Sequence, residues 1–300
     1  MPKVTRSEKN KKKQQEITNE KIKTKSNFLF RIFLVIVLCL SILFVYARYM
    51  DTSGLMVNEY TVSSTKIPDT FHGIKIVHFS DIHYGTTVDL NYLESIVQQI
   101  NELKPDIVIF TGDLIFQNYQ LDNDIIKEIT NTLSKIKATI AKYACMGNED
   151  YDNAQYNIIM KNSGFTVLNN TYENVYYQNQ DYIIINSIGS SLNNDDDIQK
   201  AFAFENKDKY VISIVHETNT VEEILKYNPD MILSGHSLGG QIRIPATGGI
   251  IHQKSANKYT KRHEIIDNTE IFNSYGIGTS KIRFRFLNKP SINLYRLTKK

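Results

Sequence analysis

Residue types that bind divalent metal ions recur in short clusters along the chain. The clusters read Ser-Asp-Ile-His, Thr-Gly-Asp, Gly-Asn-Glu-Asp, Val-His and Ser-Gly-His. Their candidate ligands are Asp81, His83, Asp113, Asn148, His216 and His236. A pair of ions that activates a water needs oxygen and imidazole donors, a carboxylate shared between the ions, and room for that water. No cysteine belongs to the group, which favours a catalytic site over a structural zinc site.

The clusters follow the ends of predicted strands. Apolar runs predict strands over 74–79, 107–110, 143–146, 182–186, 211–215 and 231–233, and helical spacing predicts helices over 90–103, 124–135, 153–161 and 221–227. This alternation is typical of an α/β sandwich. Four of the six strands run directly into a polar cluster, and His216 follows a fifth. Because ligands of α/β folds collect outside the carboxyl ends of strands, we expect the candidate ligands to converge.

Taken in order, the clusters resemble the signature of the calcineurin-like metallophosphoesterases, which runs D-x-H, G-D, G-N-H-D/E, H and G-H-x-H. The matching stretches here are SDIHYG, TGDL, GNED, VHET and GHSLGGQ. The opening GIKIVHFSDIHYG, the GGQIRIP stretch and the closing YGIGTS are similar to the membrane-associated branch that contains UDP-diacylglucosamine hydrolases. The resemblance spans residues 67–300 and implies an α+β type four-layer sandwich of two mixed β-sheets flanked by helices.

The resemblance also implies a role for each matching residue. It implies a bridging Asp113 between two ligand sets, namely Asp81 and His83 for a first metal and Asn148, His216 and His236 for a second. The ions would be two divalent metals of the Mn, Fe, Zn or Mg class. A metal-activated hydroxide would hydrolyse a phosphomonoester, phosphodiester or pyrophosphate bond. Asp113, Asn148 and Glu149 are the predicted catalytic residues, while Tyr84 and Gly85 lie next to the first ligands and could contact substrate.

Two residues depart from the family signature. Glu149 replaces the histidine that follows Gly-Asn, and Leu238 replaces the second histidine of the last motif. A carboxylate could act as a general acid only if its pKa were raised, and its charge would repel a phosphate. Leucine binds no metal, so the first ion keeps three protein ligands. One hypothesis is therefore an active hydrolase with an altered first site, and the alternative is a catalytically impaired membrane protein that binds metal or phosphate.

An apolar segment near the N-terminus predicts a membrane anchor. Residues 28–47 carry one charge, Arg31, and at about 1.5 Å per residue they span roughly 30 Å as a helix. Nine Lys and Arg precede Arg31, so the positive-inside rule predicts a cytoplasmic N-terminus and an extracytoplasmic domain. The alternative is a signal peptide cleaved near Ala47, which would release the domain. We divide the chain into a basic tail, 1–27, a signal-anchor, 28–47, a linker, 48–70, and a phosphoesterase domain, 71–300.

The net charge of +3 combines two unlike parts of the chain. Up to Arg31 there are ten Lys and Arg against three acids, a net charge of +7, which leaves 25 against 29, or −4, for the remainder. A nucleic-acid binder needs its positive charge on the folded domain, so no nucleic-acid partner is expected. Tethering to a bilayer concentrates membrane-borne substrates, which favours a lipid-linked or cell-envelope phosphoester.

Several conspicuous residues are interpreted without a role at the site. His78 alternates with Ile76 on the first strand and is predicted to be a packed core histidine. His252 and His263 are predicted to be surface residues. Residues 195–197, three aspartates, are predicted to form a solvated loop rather than a cation site. Alternation of arginine and phenylalanine over 283–286 predicts an edge strand or hairpin.

Overall fold

The structure is a computed structural model that describes residues 6–178, 181–245 and 247–300. The chain divides into two compact units, Met1–Ala47 and Arg48–Lys300. In the first unit, helix α1 runs over Arg6–Val45, and a π-helical turn, Tyr46–Met50, spans the boundary between the units. Among the described residues this is the one helix long and apolar enough to cross a membrane, and none of its apolar stretch is buried. The helix therefore does not form part of a protein core.

The second unit contains two six-stranded mixed sheets. The first sheet has the order β1-β14-β2-β3-β4-β5, with β14 antiparallel to β2 and the other pairs parallel. Its strands are β1 Met56–Ser64, β2 Lys75–Phe79, β3 Ile107–Phe110, β4 Ala141–Ala144, β5 Thr166–Val167 and β14 Ser291–Lys299. The second sheet has the order β12-β13-β9-β8-β7-β6 and is antiparallel only at its two ends. Its strands are β6 Thr171–Tyr176, β7 Tyr182–Ser187, β8 Val211–Ile214, β9 Met231–Ser234, β12 His263–Ile266 and β13 Thr269–Asn273.

Helices cover the outer faces of both sheets. They are α2 Leu90–Glu102, α3 Asn123–Ser134, α4 Tyr156–Asn162, α5 Ile198–Ala201 and α6 Val221–Ile224. Helices α2, α3 and α4 pack on one face of the first sheet, and α5 and α6 pack on the second sheet. A third core cluster fills the space between the sheets. These are the four layers, two mixed sheets between helices, that were expected. A small hairpin of β10 Arg243–Ile244 and β11 Gly248–Gly249 lies outside both sheets.

Residue alternation decides which core each side chain enters. On β2, Ile76 enters the core between the sheets, whereas Val77 and Phe79 enter the core under the helices. Each large apolar side chain buried in this way contributes about 1.5–3 kcal/mol. Helix α2 begins where the Asp89 carboxylate accepts the Tyr92 N–H, so the cap and the apolar face together place the helix directly after the β2 loop.

The structure differs from the sequence interpretation at two edges of the domain. Residues 56–64, expected to lie in the linker 48–70, form β1, which pairs in parallel with β14. β1 is an edge strand with mostly exposed or half-buried side chains, so its polar sequence carries little strand signal. Residues 283–286, expected to be an edge strand or hairpin, form neither apart from an isolated bridge at Phe286, and Arg285 is fully buried. Tertiary contacts thus override the local alternation there.

Candidate metal centre

The loops after β2, β3 and β9 have unusual backbone conformations. Asp81, His83, Asp113 and His236 all have positive φ, between 44° and 61°. This left-handed region costs of the order of 1–3 kcal/mol for such residues and persists only where surrounding contacts enforce it. One enforcing contact is at Gly112, where a Cβ would lie 2.2 Å from the Gly147 N, so the β3 and β4 loops touch backbone to backbone. Four of the six predicted ligands thus have a strained backbone.

Asp81, His83 and Asp113 form one buried group whose donor atoms lie within 4.8 Å of one another. His83 Nε2 lies 3.7 Å from Asp81 Oδ1 and 3.7 Å from Asp113 Oδ2. All three residues are at most 2% exposed. Buried carboxylates and an imidazole at this spacing form a site into which a divalent cation fits.

Asp113, His216 and His236 form a second group within the same limit. His216 Nε2 lies 3.0 Å from Asp113 Oδ2 and 3.2 Å from His236 Nδ1. Asp113 therefore belongs to both groups, as expected of a carboxylate shared between two cations.

Hydrogen bonds orient the two histidines of the second group. His216 Nδ1 donates to the Thr111 carbonyl at 2.6 Å, and His236 Nε2 donates to the Lys254 carbonyl at 2.6 Å. Each bond occupies one ring nitrogen, so the nitrogen left to bind a cation is His216 Nε2, beside Asp113, and His236 Nδ1, beside His216. The rings are thus held ready for a cation.

Two buried oxygens at the centre lack a hydrogen-bond partner among the described residues. They are Asp81 Oδ1 and Asn148 Oδ1. An unpaired buried acceptor costs about 1–3 kcal/mol, so such atoms call for a ligand. Asn148 lies between Gly147, whose Cβ position would be 2.2 Å from Asp113 Oδ1, and Glu149, whose N–H donates to that oxygen, so the backbone at Asn148 passes beside the shared carboxylate. Mixed oxygen and imidazole donors with unsatisfied oxygens fit divalent cations of the Mn, Fe, Zn or Mg class.

Charge is unevenly distributed across the centre. Burial opposes protonation of His83, but the Glu149, Asp113 and Asp81 carboxylates outweigh it and raise its pKa to about 9. Burial also opposes ionisation of Asp113, yet His216, His83 and His236 lower its pKa overall. The excess of carboxylate is what a cation would neutralise.

The two departures from the family signature are both at the first group. Glu149 Oε2 lies 3.3 Å from His83 Nδ1 and accepts the Gln117 N–H at 2.8 Å. Its backbone N–H donates to Asp113 Oδ1 at 2.9 Å. Leu238 is 1% exposed and lies against Gly276, which packs on Asp81. Glu149 thus faces the outer nitrogen of His83, and an apolar side chain occupies the position of the missing histidine.

Sequence reasoning missed Asp150. Its carboxylate is fully buried and accepts the N–H groups of Asp113 at 2.7 Å, Leu114 at 3.0 Å and Gly147 at 2.8 Å. Burial and the Asp113 charge raise the pKa of Asp150 to about 7. It fixes the β3 and β4 loops in register. The final position of the Gly-Asn-Glu-Asp motif was the signal that could have identified it.

The C-terminal segment was also missed as part of the site. The Gly278 N–H donates to the Asp81 carbonyl at 2.7 Å, and a Cβ at Gly276 would lie 2.8 Å from the Asp81 Cβ. The buried Arg285 guanidinium donates to the carbonyls of Gly278, Tyr275 and Asn288. The segment from Tyr275 to Asn288 therefore packs against the Asp81 loop and fixes its position.

The remaining conspicuous residues lie apart from the ligand groups. His78 is fully buried between Tyr295 and Thr111, as predicted for a core histidine. His252 is exposed, and His263 contacts Glu270 at the surface. Asp195 accepts hydrogen bonds from Tyr151 and Asn169, which lie on other segments of the chain.

Known proteins share this sequence pattern. Residues 74–240 match the calcineurin-like phosphoesterase family. The chain is 33% identical over 260 residues to YkuE, an uncharacterized metallophosphoesterase of Bacillus subtilis, with 84% of this chain and 88% of that protein covered. It is 24% identical over 316 residues to the UDP-2,3-diacylglucosamine pyrophosphatase LpxG of Chlamydia trachomatis, covering 84% and 92% of the two chains.

Two further proteins resemble the chain less fully, one because it is longer and the other because its structure aligns less well. A transmembrane protein with metallophosphoesterase domain from Danio rerio is 24% identical over 283 residues, covering 88% of this chain and 62% of that one. Among solved structures, TT1561 of Thermus thermophilus aligns with 68% of this chain and 90% of its own, at 12% identity and a TM-score of 0.46. Because the family match covers more than half of the 300 residues and every predicted ligand, the chain belongs to the calcineurin-like phosphoesterases.

Proposed function

We propose that this protein is a membrane-anchored, metal-dependent phosphoesterase whose centre binds two divalent cations. The observation that carries the proposal is the Asp113 carboxylate, which is common to both buried ligand groups. Asp81 and His83 would hold the first cation, and Asn148, His216 and His236 the second. When bound, such a pair supplies a water acidic enough to be a nucleophile and neutralises charge on the phosphoryl oxygens.

The residues around the ligands have distinct parts in this proposal. Hydrogen bonds to the Thr111 and Lys254 carbonyls hold the rings of His216 and His236 so that the opposite nitrogen of each would bind the cation. Asp150 fixes the backbone on both sides of Asp113 and Asn148. Glu149 acts as a positioning residue that orients His83 rather than as the proton donor expected from its place in the motif. That arrangement compensates in part for the ligand lost at Leu238.

The proposed substrate is a lipid-linked or cell-envelope phosphoester. The apolar helix supports membrane anchoring, and the name of the chlamydial relative describes a pyrophosphatase of a diacylated nucleotide sugar. Lys and Arg in the tail support a cytoplasmic N-terminus with the domain on the opposite side. The orientation is tested in a variant that lacks Cys39 and Cys145 and carries one introduced cysteine, either Ser7→Cys or Asn257→Cys. A thiol reagent that does not cross the membrane should label Asn257→Cys in intact cells. Labelling of Ser7→Cys in the same cells would contradict the proposed orientation.

The hydrolase proposal is tested on the purified full chain in detergent. We expect divalent metal in the protein and manganese-dependent cleavage of a nitrophenyl phosphodiester. Asp113→Asn should abolish both, while Asp196→Asn, an exposed carboxylate far along the chain, should change neither. Bound metal without turnover on any phosphoester would instead establish the alternative, a catalytically impaired protein that binds metal or phosphate. The observation that favours this alternative is the replacement of two family histidines by Glu149 and Leu238.

A further inference from the structure

A cationic cavity lies next to the His236 loop. Its volume is about 680 Å³, and its lining includes Arg243, Lys261, Arg262 and Tyr275 but no carboxylate side chain. Lys261 and the lining His263 each have a carboxylate partner outside the cavity, Glu264 and Glu270 respectively. Arg243 and Arg262 are therefore the lining cations that have no carboxylate partner among the described residues.

Arg243 and Arg262 share one aromatic ring. Their guanidinium carbons lie 5.0 and 3.9 Å from the centroid of the Tyr275 ring. Neither makes an ion pair with a described residue. Arg243 donates to the Gly239 carbonyl and the Tyr275 hydroxyl, and Arg262 donates to the Ser291 hydroxyl. Burial, together with the charge of Arg243, lowers the pKa of Arg262.

The two guanidinium groups contact the same ring without a counter-charge among the described residues, and the positive charge of Arg243 acts unfavourably on Arg262. Planar guanidinium groups bind phosphate through paired N–H donors, and an anion bound in the cavity that both line would offset this repulsion. Stacking on Tyr275 holds both groups in place before a ligand arrives, which reduces the entropy lost on binding. The geometry is that of a prepared anion site.

The cavity is connected to the metal centre by two short segments. Gly239, which binds Arg243, lies three residues after His236 and contacts the Tyr275 ring. Tyr275 is followed by Gly276, which packs on Asp81. A substrate with two anionic groups could therefore place one at the ligand groups and the other at the arginines.

The rim of the cavity is apolar and lies at the edge where the domain begins. Leu287 lines the cavity and is 49% exposed, and Ile244 and Ile250, next to lining residues, are 47% and 49% exposed. The Leu287 N–H donates to the Asp51 carboxylate, three residues after the start of the domain unit at Arg48. Exposed apolar residues beside arginines are typical of a surface that meets lipid headgroups.

We propose that Arg243 and Arg262 bind the phosphate group of a membrane lipid or lipid-linked substrate in this cavity. The proposal rests on the membrane anchoring in the proposed function, because a domain tethered to a bilayer meets lipid phosphates at a high local concentration. The ligands expected for this cavity are amphiphiles that carry a phosphate group. Soluble nucleotides are expected to bind there more weakly.

The test uses the full chain in a non-ionic detergent after metal removal with a chelator, so that binding is separated from turnover. Calorimetry with dihexanoyl phosphatidate should show binding, with inorganic phosphate and dihexanoyl phosphatidylcholine at least about tenfold weaker. Arg243→Gln and Arg262→Gln should each weaken phosphatidate binding about tenfold or more. Lys281→Gln, an exposed cation of the same segment outside the lining, should leave it unchanged.

The proposal would be overturned if phosphatidate did not bind, or if its binding survived both arginine substitutions. It would also be overturned if inorganic phosphate bound with equal affinity. If a variant fails to fold, protection of Arg243 and Arg262 from phenylglyoxal by phosphatidate, read by mass spectrometry in the wild-type chain, decides the matter. Arginine-dependent binding in a protein without hydrolytic activity would sink the proposed function alone. Hydrolysis of a phosphodiester without phosphatidate binding would sink this inference alone.

Discussion

At the scale of single residues, the first ligand group combines a lost donor with a gained carboxylate. Leu238 supplies no lone pair, so Asp81, His83 and Asp113 are the protein donors there. Glu149 lies 3.3 Å from the outer nitrogen of His83, where a carboxylate makes the imidazole a stronger ligand. The two departures from the family signature are thus neighbours in function although they are far apart in sequence.

Restoring the missing donor should strengthen the first metal site. In Leu238→His we expect about a tenfold or larger gain in affinity for the weaker of two bound ions, because a fourth protein ligand replaces solvent. Metal titration by calorimetry, with stoichiometry checked by elemental analysis, measures this. Leu238→Phe removes no donor and adds none, and an equal gain in that variant would show that packing, not coordination, was limiting.

Glu149 should matter for metal binding more than for proton transfer. Glu149→Gln keeps the size of the side chain but removes the charge beside His83, and we expect first-site affinity to fall roughly 10–100-fold. At saturating metal, the pH profile of turnover should keep its shape. Loss of the acid limb of that profile with unchanged metal affinity would instead identify Glu149 as a general acid. Asp152→Asn, on a carboxylate that contacts Gln117 nearby, is the matched control.

At the scale of elements, the site depends on loops that meet backbone to backbone. The β3 and β4 loops touch at Gly112 and Gly147, and Asp150 bonds to the N–H groups on both sides. Asp113, which lies between these contacts, has a left-handed backbone, as do the candidate ligands Asp81, His83 and His236 in the loops after β2 and β9. Positions of the loops, more than the regular elements themselves, set the ligand geometry.

A Cβ at Gly112 should therefore be far more costly than one at an open glycine. Gly112 has φ +87° and would place a Cβ 2.2 Å from the Gly147 N, whereas Gly54 has φ +75° and no atom within 4 Å. We expect Gly112→Ala to lower the free energy of unfolding by about 3 kcal/mol or more, and Gly54→Ala by about 1 kcal/mol. Urea unfolding followed by tyrosine fluorescence gives both values. Equal costs would mean that backbone conformation, and not the loop contact, sets the requirement for glycine.

At the scale of the whole molecule, one buried histidine links the sheets to acid stability. His78 lies between Tyr295 on β14 and Thr111 after β3, and burial lowers its pKa to about 3. Below about pH 6.5, the ordinary pKa of histidine, the unfolded chain binds a proton at this position that the folded chain does not. Stability is therefore complete above that pH and falls as the pH drops toward the folded-state pKa.

Removing this histidine should flatten the acid side of the stability curve. At about pH 4, His78 is expected to cost the wild type on the order of 3 kcal/mol relative to neutral pH, and His78→Gln should lack that part of the fall. Urea unfolding at the two pH values measures the difference. His72→Gln, at an exposed position, controls for loss of a histidine. The same pH dependence in His78→Gln and wild type would contradict the assignment.

Features that depend on interactions between residues close in the chain could be predicted from the sequence, whereas features that depend on distant residues could not. Strands such as 107–110 and 211–214 are buried on both faces and therefore appear in the sequence as apolar runs. The polar clusters that follow them can be recognised from the neighbouring residues alone. β1 escaped prediction because an edge strand needs only a partner, β14, more than 200 residues away. Arg285 escaped because its alternation with phenylalanine mimics a surface strand, whereas three carbonyls hold it in the interior.

The sequence by itself determined the layered α/β class, the apolar helix, the family signature and the identities of the candidate ligands, since these follow from local patterns of residue type. Only the tertiary structure decided that Asp113 is shared by two donor groups, that Glu149 faces His83 and that Arg243 and Arg262 both contact Tyr275. Those facts depend on distances between residues far apart in the chain, which the packing of the two sheets and the close contact of their loops establish.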